Sequence, residues 1–231
     1  MIIDMHSHTS GISLCSRIDY KSLTILNKEL GYDAFILTNH YTKDYVKDNN
    51  PLEFAKRYIE EYYKAKEVGD EIGIKVFFGV EITLNNYGGI HLLVYGIEPE
   101  LLLEHPEIYN YTLPQIYEVA HSHNGFLVQA HPFRPVLTLL DVNYLDGVEI
   151  NCHLGHNGPF PDEVFEIAKK HNLFVTCGGD FHNDSPRIMC GIITKDYIND
   201  VQSLIKLIIS KKGFEYLICD KKTLKPYKKV W

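Results

Sequence analysis

Short apolar runs alternate with amphipathic stretches along the whole 231-residue chain. Apolar runs bounded by turn-forming residues predict buried strands at 1–6, 33–39, 74–82, 90–96, 126–130, 147–151, 173–178 and 188–194. Between them, apolar positions recur three and four residues apart, which predicts helices over 20–30, 51–72, 113–124, 161–171 and 199–212. The chain is therefore predicted to be an α/β protein.

Repeated strand–helix units with short joints favour a parallel sheet, either as a closed barrel or as an open sheet covered on both faces. One joint breaks this rhythm, because only eight residues, ITLNNYGG, separate Glu81 from Ile90. A helical crossover takes about ten or more residues, so these two strands are expected to be joined directly. No repeat or linker is visible, which predicts one domain over 1–231, with a helix and a basic tail over 195–231.

Composition and charge disfavour several classes of protein. Apolar residues make up 45% of the chain, which suffices for a core, and no run of about 18 apolar residues could span a membrane. The net charge of −7 disfavours binding to long nucleic acids. Five scattered cysteines and the lack of a signal-peptide pattern predict a cytoplasmic protein without disulfides. The lysine-rich segment DKKTLKPYKKVW is interpreted as an edge strand or solvated tail, with a phosphate- or partner-binding arm as the alternative.

The segment MIIDMHSHTS contains the first candidate functional residues. Successive side chains of a strand point to opposite faces, so Asp4, His6 and His8 share one face. Burying a carboxylate and two imidazoles together is costly unless something pairs with them. A metal ion is the commonest partner for such a set, and the segment therefore indicates a metal site.

Similar side chains stand at or near the ends of the other predicted strands. At one rim of a parallel α/β barrel the carboxyl ends of all strands meet, and active sites are built there. Residues distant in sequence are therefore expected to converge into one cluster. Its expected members are His6, His8, His40, Glu81, His91, His131, Asp180 and His182.

The motifs DMHSHTS, LTNH, GVEIT, IHLLVYG, AHPFR and GGDFHN resemble, in this order, those of the polymerase and histidinol phosphatase (PHP) domain family. The resemblance covers residues 4–182. It implies a distorted (β/α)7 TIM-like barrel with two or three divalent metal ions, usually zinc, manganese or iron. It also implies phosphoester hydrolysis.

The resemblance further implies how the ligands are shared. One metal would be held by His6, His8, Glu81 and Asp180, and Glu81 would bridge it to a second metal on His91 and His131. A third would use His40 and His182 with a ligand from the loop after the first strand. That loop, TSGISLCSR, departs from the family pattern, and Cys15 is either that ligand or a small buried residue. Asn39 and Asp4 are expected to support ligands, Asp4 by orienting an imidazole.

Closely spaced divalent ions activate water and neutralise phosphoester oxygens, so we expect a metal-bridging hydroxide as the nucleophile. The predicted catalytic residues are Glu81, Asp180 and Arg134. Arginine suits phosphate because of its planar fork, and the predicted substrate-binding residues are Arg134, Arg17 and His156. Arg187 is a further candidate.

The segment GVEINCHLGHN also places Glu149 and His153 near the predicted rim. They are expected to shape specificity or to protonate the leaving group, with a plain polar loop as the alternative.

Three readings of function remain open on the sequence alone. The favoured one is a phosphatase or phosphoesterase acting on a small phosphorylated substrate. An exonuclease or oligonucleotide phosphoesterase is the second, and the net charge argues against it. A non-catalytic metal-binding regulatory module is the third. A metal-dependent amide hydrolase is weaker still, because no lysine stands at a predicted strand end.

Overall fold

The computed structural model describes residues 1–46, 50–84, 89–134, 136, 138–155, 158–183 and 185–230. Its strands are β1 (Ile2–Ser7), β2 (Ala34–Leu37), β3 (His40–Tyr41), β4 (Lys75–Leu84), β5 (Ile90–Tyr95), β6 (Phe126–Gln129), β7 (Gly147–Asn151), β8 (Phe174–Gly178), β9 (Gly191–Thr194), β10 (Phe214–Asp220) and β11 (Lys225–Lys229). Its α-helices are α1 (Tyr20–Glu29), α2 (Lys43–Val46), α3 (Pro51–Ile72), α4 (Leu101–Glu104), α5 (Leu113–Ser122), α6 (Pro161–His171) and α7 (Val201–Ser210). None of the described helices combines the length and the apolar character needed to cross a membrane.

The strands form one mixed sheet in the order β11-β10-β9-β1-β2-β4-β5-β6-β7-β8, with β3 beside β4. Strands β1, β2 and β4 run parallel to one another, as do β6, β7 and β8. The α/β class is therefore confirmed. The distorted (β/α)7 barrel is not confirmed, because β5 and β9 run antiparallel to their neighbours and the sheet is a curled, mixed one.

The curl brings the two distant parts of the sheet together at one end. Ser7 forms a parallel bridge with Phe181 just beyond β8. The amide of Asp180 donates to the carbonyl of His6 at 2.8 Å, and the amide of His8 donates to Phe181 at 3.3 Å. The segments that carry the first and the last predicted ligands are therefore hydrogen-bonded to each other.

The short joint after Glu81 has the predicted effect. Strands β4 and β5 are antiparallel neighbours, and His91 pairs with Thr83, two residues beyond Glu81. His91 consequently lies at the start of its strand, not at the carboxyl end that a parallel strand would use. Because β5 runs in reverse, its start lies at the same rim as the end of β4.

Helix α3 supports the strands that carry the candidate ligands. Asn50 caps its first turn, Pro51 begins it, and Gly73 ends it in the left-handed conformation. The hydroxyl of Tyr58, buried on its inner face, donates to the carbonyl oxygens of Asn39 at 2.6 Å and Gly79 at 3.0 Å. This helix therefore fixes the backbone next to His40.

The carboxyl-terminal part differs from the helix and tail expected there. Helix α7 is present, but β10 follows it as a largely buried strand that the sequence interpretation missed. It pairs antiparallel with both β9 and β11. Strand β11, at the edge of the sheet and mostly exposed, lies within the lysine-rich segment, which confirms the edge-strand interpretation for this part of it.

Candidate metal centre

The eight predicted ligands lie together at one end of the sheet. Four are on strands, namely His6 on β1, His40 on β3, Glu81 on β4 and His91 on β5. The others lie within four residues of a strand end, and these are His8 after β1, His131 after β6, and Asp180 and His182 after β8.

Four donor atoms, which we call the quartet, have the spacing of a metal coordination shell. They are Nε2 of His6, Nε2 of His8, Oε2 of Glu81 and Oδ1 of Asp180, all on buried side chains. The distances from the two imidazole nitrogens to each other and to the two carboxylate oxygens are 3.0–3.4 Å. Bonds of about 2.0 Å to a tetrahedral zinc ion would place ligand atoms roughly 3.3 Å apart. The quartet therefore fits a divalent cation at its centre.

Glu81 extends this set in two directions. Its Oε1 lies 2.9 Å from Nδ1 of His91 and 3.2 Å from Nε2 of His131. Its Oε2 lies 2.8 Å from Nδ1 of His40. Although these last two atoms are close and buried, neither makes a hydrogen bond with any described residue. Glu81 favours a proton on His40, and a divalent cation near both atoms would take the place of that proton.

A third group of donors adjoins the quartet. Donor atoms of His8, His40 and His182 lie within 4.8 Å of one another. The ring of His8 stacks on both neighbours, with centroids 4.5 Å from His40 and 4.2 Å from His182. The eight side chains thus form one continuous cluster with donors for more than one ion.

Cys15 is exposed beside this third group, so the alternative of a small buried residue is wrong. Burial raises the pKa of its thiol, but hydrogen bonds with His182 and His40 outweigh this and lower the pKa to about 6. A thiol in this state is largely a thiolate at neutral pH, the form that binds zinc.

Charge in the cluster is divided between ionised carboxylates and imidazoles. Burial raises the pKa of Glu81, but the surrounding histidines, His40 first, hold it well below its usual range. Burial also raises the pKa of Asp180, but nearby histidines, chiefly His6, hold that pKa well below its usual range. Both carboxylates therefore carry negative charge at neutral pH. Burial lowers the pKa of His6, but Glu149, Asp180 and Glu81 raise it well above its ordinary value.

Glu149 is a supporting residue whose contacts the sequence interpretation did not foresee. Its Oε1 lies 2.7 Å from Nδ1 of His6, and its Oε2 accepts from the amide of His131 at 3.0 Å. With Nδ1 directed at this carboxylate, His6 presents Nε2 to the quartet. Glu149 stands behind a ligand, where it holds the ring, and not at the open rim.

Asp4 does not orient an imidazole ring, contrary to expectation. It is buried and pairs with Arg187, and it also accepts from the Ser7 hydroxyl at 2.7 Å and the Gly179 amide at 2.8 Å. Arg187 is itself buried, with its guanidinium 4.8 Å from the centroid of the Phe181 ring. The expectation that Arg187 could bind phosphate is therefore wrong, because this ion pair occupies it within the core.

Asn39 and Ser13 hold His8 from behind. The Ser13 hydroxyl donates to Oδ1 of Asn39 at 2.9 Å and lies 3.2 Å from Nδ1 of His8. Because that hydroxyl proton is used on Asn39, Nδ1 of His8 is the donor in their contact, and Nε2 keeps its lone pair for the quartet. Asn39 also accepts from the amide of Thr9 at 2.7 Å, so it organises the whole loop after β1.

Two of the candidate ligands have unusual backbone conformations. His131 has φ of 28° and Asp180 has φ of 49°, in the region that side chains other than glycine seldom adopt. Each follows the end of a strand, and the turn directs its side chain into the cluster. Such strain persists where the surrounding structure enforces it and is commonly found at functional sites.

The cluster opens into a cleft of about 350 Å3. Its walls include Cys15, Tyr45, Arg134 and His153. Arg134 is exposed and borders the cleft, whereas Arg17 is exposed and does not line its described part. His156 lies outside the described residues. Among the predicted phosphate-binding groups that the structure describes, Arg134 is the one at the cleft.

Comparison with solved structures shows a shared fold at low sequence identity. A two-domain protein of Bacteroides vulgatus, described as containing a predicted PHP-like metal-dependent phosphoesterase, matches 94% of this chain with a TM-score of 0.66 and 16% identity. The chain spans 64% of the length of that protein. A protein of Bifidobacterium adolescentis, described as a metal-dependent phosphoesterase, matches 90% of this chain and 95% of its own, with a TM-score of 0.56 and 16% identity.

An amidohydrolase of Chromobacterium violaceum, solved with bound sulfate and no metal, shares the fold as well. It matches 79% of this chain and 88% of its own, with a TM-score of 0.56 and 14% identity. No family model and no curated protein matches the sequence. The resemblance to PHP-like phosphoesterases that the motifs indicated is thus confirmed in the fold.

Proposed function

We propose that this protein is a metal-dependent phosphoesterase that hydrolyses a small phosphomonoester, with two or three divalent ions in the cluster. The observation that carries the proposal is the quartet. Two imidazole nitrogens and two carboxylate oxygens from three distant parts of the chain lie at the spacing of one coordination shell. Imidazole and carboxylate donors suit zinc, manganese or ferrous iron.

Divalent ions held by this cluster would supply activation of water near neutral pH and neutralise charge on phosphoester oxygens. The protein's own residues create the conditions for this. Glu81 and Asp180 stay ionised and bring negative charge to the ions, while Glu149 and Ser13 fix two imidazoles with a nitrogen lone pair directed inward. Glu81 would help to hold more than one ion, because its two oxygens face different histidines.

The surroundings of the cluster favour a small substrate. The cleft of about 350 Å3 accommodates a phosphomonoester with a modest leaving group. Arg134 at its edge offers a planar pair of donors to phosphate oxygens. The net charge of −7 disfavours a long polyanion, which argues against the exonuclease alternative.

The test combines metal analysis with a substrate screen. We expect the purified protein to contain divalent metal and to release phosphate from at least one compound among sugar phosphates, nucleotides, histidinol phosphate and short oligonucleotides. The variants His6→Ala and Asp180→Asn should lower the rate at least about 100-fold, because the first removes a donor of the quartet and the second replaces an anionic oxygen donor by a neutral amide. The exposed Glu166→Gln serves as the matched control and should keep wild-type activity.

Circular dichroism establishes that each variant is folded. Metal-free protein with no phosphate release would overturn the proposal, as would wild-type rates in both quartet variants. Hydrolysis of an amide panel without phosphate release would assign the centre to the chemistry of the amidohydrolase neighbour.

A further inference from the structure

A second group of potential metal ligands lies away from the cleft, where α4 and α5 end. Glu104 is the last residue of α4, His105 follows it directly, and His123 follows α5. Each offers one donor atom, and these three atoms lie within 4.8 Å of one another. None of the three lines the cleft of the candidate metal centre among its described residues. This group is therefore separate from that centre.

The structure fixes which nitrogen of His123 is available. Its Nδ1 lies 2.9 Å from the carbonyl oxygen of Val119, which can only accept, so Nδ1 carries the hydrogen. Nε2 then faces Oε2 of Glu104 at 3.3 Å. A neutral imidazole would direct a lone pair at a carboxylate here, so this contact needs a positive charge, either as a proton or as a metal ion. A metal-binding histidine commonly donates its other nitrogen to a carbonyl in this way.

His105 supplies the second imidazole. Its ring lies 5.7 Å from that of His123, centroid to centroid and at 88°, and its Nδ1 lies 3.2 Å from the Tyr111 hydroxyl. Burial of the pair is partial, which leaves the group open to ions in solution.

The local field also favours a cation. His123 caps the carboxyl end of the ten-residue helix α5, where the unpaired carbonyl groups concentrate negative partial charge. The exposed carboxylate of Glu104 adds a full negative charge. Two imidazoles and one glutamate are a donor set found in protein zinc sites, with a remaining position for water.

We propose that Glu104, His105 and His123 form a surface site for a divalent transition-metal ion, zinc above all, that links the ends of α4 and α5. The exposed Glu104 side chain can rotate to bring its carboxylate to an ion held between the two partly buried imidazoles. A bound ion would hold together two consecutive helices of the segment that joins β5 to β6. This role is structural and independent of hydrolysis.

The test is the zinc stoichiometry of the full-length protein, measured by titration against a chelating indicator. We expect His123→Ala and His105→Ala each to bind one zinc ion fewer per chain than the wild type. His121→Ala is the matched control, since His121 lies on α5 and pairs with Asp146 at 2.9 Å but belongs to no such group of described donors. It should keep the wild-type stoichiometry.

Glu104→Gln keeps the test valid if a histidine variant does not fold, because that side chain is exposed and contributes little to packing. It should weaken binding of the same ion while phosphate release stays unchanged. Equal zinc stoichiometry and affinity in the wild type, His123→Ala and Glu104→Gln would overturn the proposal. That result would not bear on the proposed phosphoesterase activity of the candidate metal centre, because that activity is tested separately by phosphate release.

Discussion

Glu81 contacts imidazole nitrogens through both of its carboxylate oxygens. Oε1 faces His91 and His131, and Oε2 faces His40 and the two histidines of the quartet. A fully buried carboxylate is stable in its charged form only with such partners. At the scale of single residues, Glu81 connects the quartet to His40, His91 and His131. A change in the charge or position of Glu81 would therefore affect all of these donors.

Glu149 provides the sharpest prediction at this scale. Glu149→Gln keeps the size of the side chain but removes the negative charge next to Nδ1 of His6. Removing a group that hydrogen-bonds a metal-ligating histidine typically lowers metal affinity about 10- to 100-fold. We expect Glu149→Gln to lower metal affinity by this factor while the fold is retained. The measurement is competition for metal with a chelating indicator. Glu166→Gln should behave as the wild type, and an unchanged affinity in Glu149→Gln would show that His6 needs no such support.

The sequence predicts which residues meet, but not how the supporting carboxylates are shared. His6, His8, Glu81 and Asp180 follow from strand periodicity and from the position of strand ends. The roles expected of Asp4 and Glu149 depend on which of them faces an imidazole ring. Arg187, distant in sequence, pairs with Asp4 and leaves the ring of His6 to Glu149. A contact between residues so far apart cannot be read from local pattern.

At the scale of elements, the direction of β5 decides where His91 lies. The short joint after Glu81 predicted direct pairing, and an antiparallel strand brings its first residues to the rim that parallel strands reach with their last. The sequence interpretation missed the buried strand β10. This strand extends the sheet beyond β1 through the antiparallel strand β9, an arrangement that repeated parallel strand–helix units do not predict. Local periodicity identifies strands, whereas their order and direction depend on distant pairing.

The close approach of β8 to β1 gives a prediction for an element. A Cβ added at Gly178 would overlap the Cβ of His6 and lie 2.8 Å from its backbone nitrogen. Backbone cannot move aside cheaply, so Gly178→Ala should lower the free energy of unfolding by about 1–3 kcal/mol. Metal affinity should fall with it, because His6 is displaced.

Gly158→Ala is the matched control, since the nearest atoms to its added Cβ would be those of the Phe160 ring, at an ordinary contact distance of 3.6 Å. Denaturant unfolding and metal titration of both variants provide the measurement. Equal stability and equal metal affinity in the two would contradict the packing described between β1 and β8.

At the scale of the whole molecule, pH and metal binding are expected to be linked through the buried imidazoles. Burial lowers the pKa of His40, but attraction by Glu81 outweighs it and raises the pKa from 6.5 to about 10. Because the pKa of His40 is higher in the folded protein than in the unfolded chain, protonation of His40 stabilises the metal-free fold. This stabilisation is complete below about pH 6.5 and is lost as the pH rises through the folded pKa of about 10. Metal ions need the neutral ring, so they must displace this proton.

We therefore expect the increase in Tm on adding zinc or manganese to grow between about pH 6.5 and 8.5. With free metal at about 100 times Kd, the gain is about 2.7 kcal/mol, or roughly 5–10 °C for a chain of this size. Thermal melts with and without metal across this range provide the measurement. His40→Ala should flatten the pH dependence, whereas His171→Ala, which changes a half-buried histidine that belongs to no group of described donors, should not. A metal-induced shift in Tm that is independent of pH would contradict the expected proton displacement.

The pairing of β1 with the segment after β8 has a consequence for the synthesis of the protein. His8 and Asp180 are separated by 172 residues of chain. During synthesis, His6 and His8 therefore leave the ribosome long before Asp180 is added to the chain. Contacts between residues so far apart in sequence form late in folding. Until then the quartet lacks one of its four donors, so we expect any metal ion that it binds to reach full coordination only after the last steps of folding.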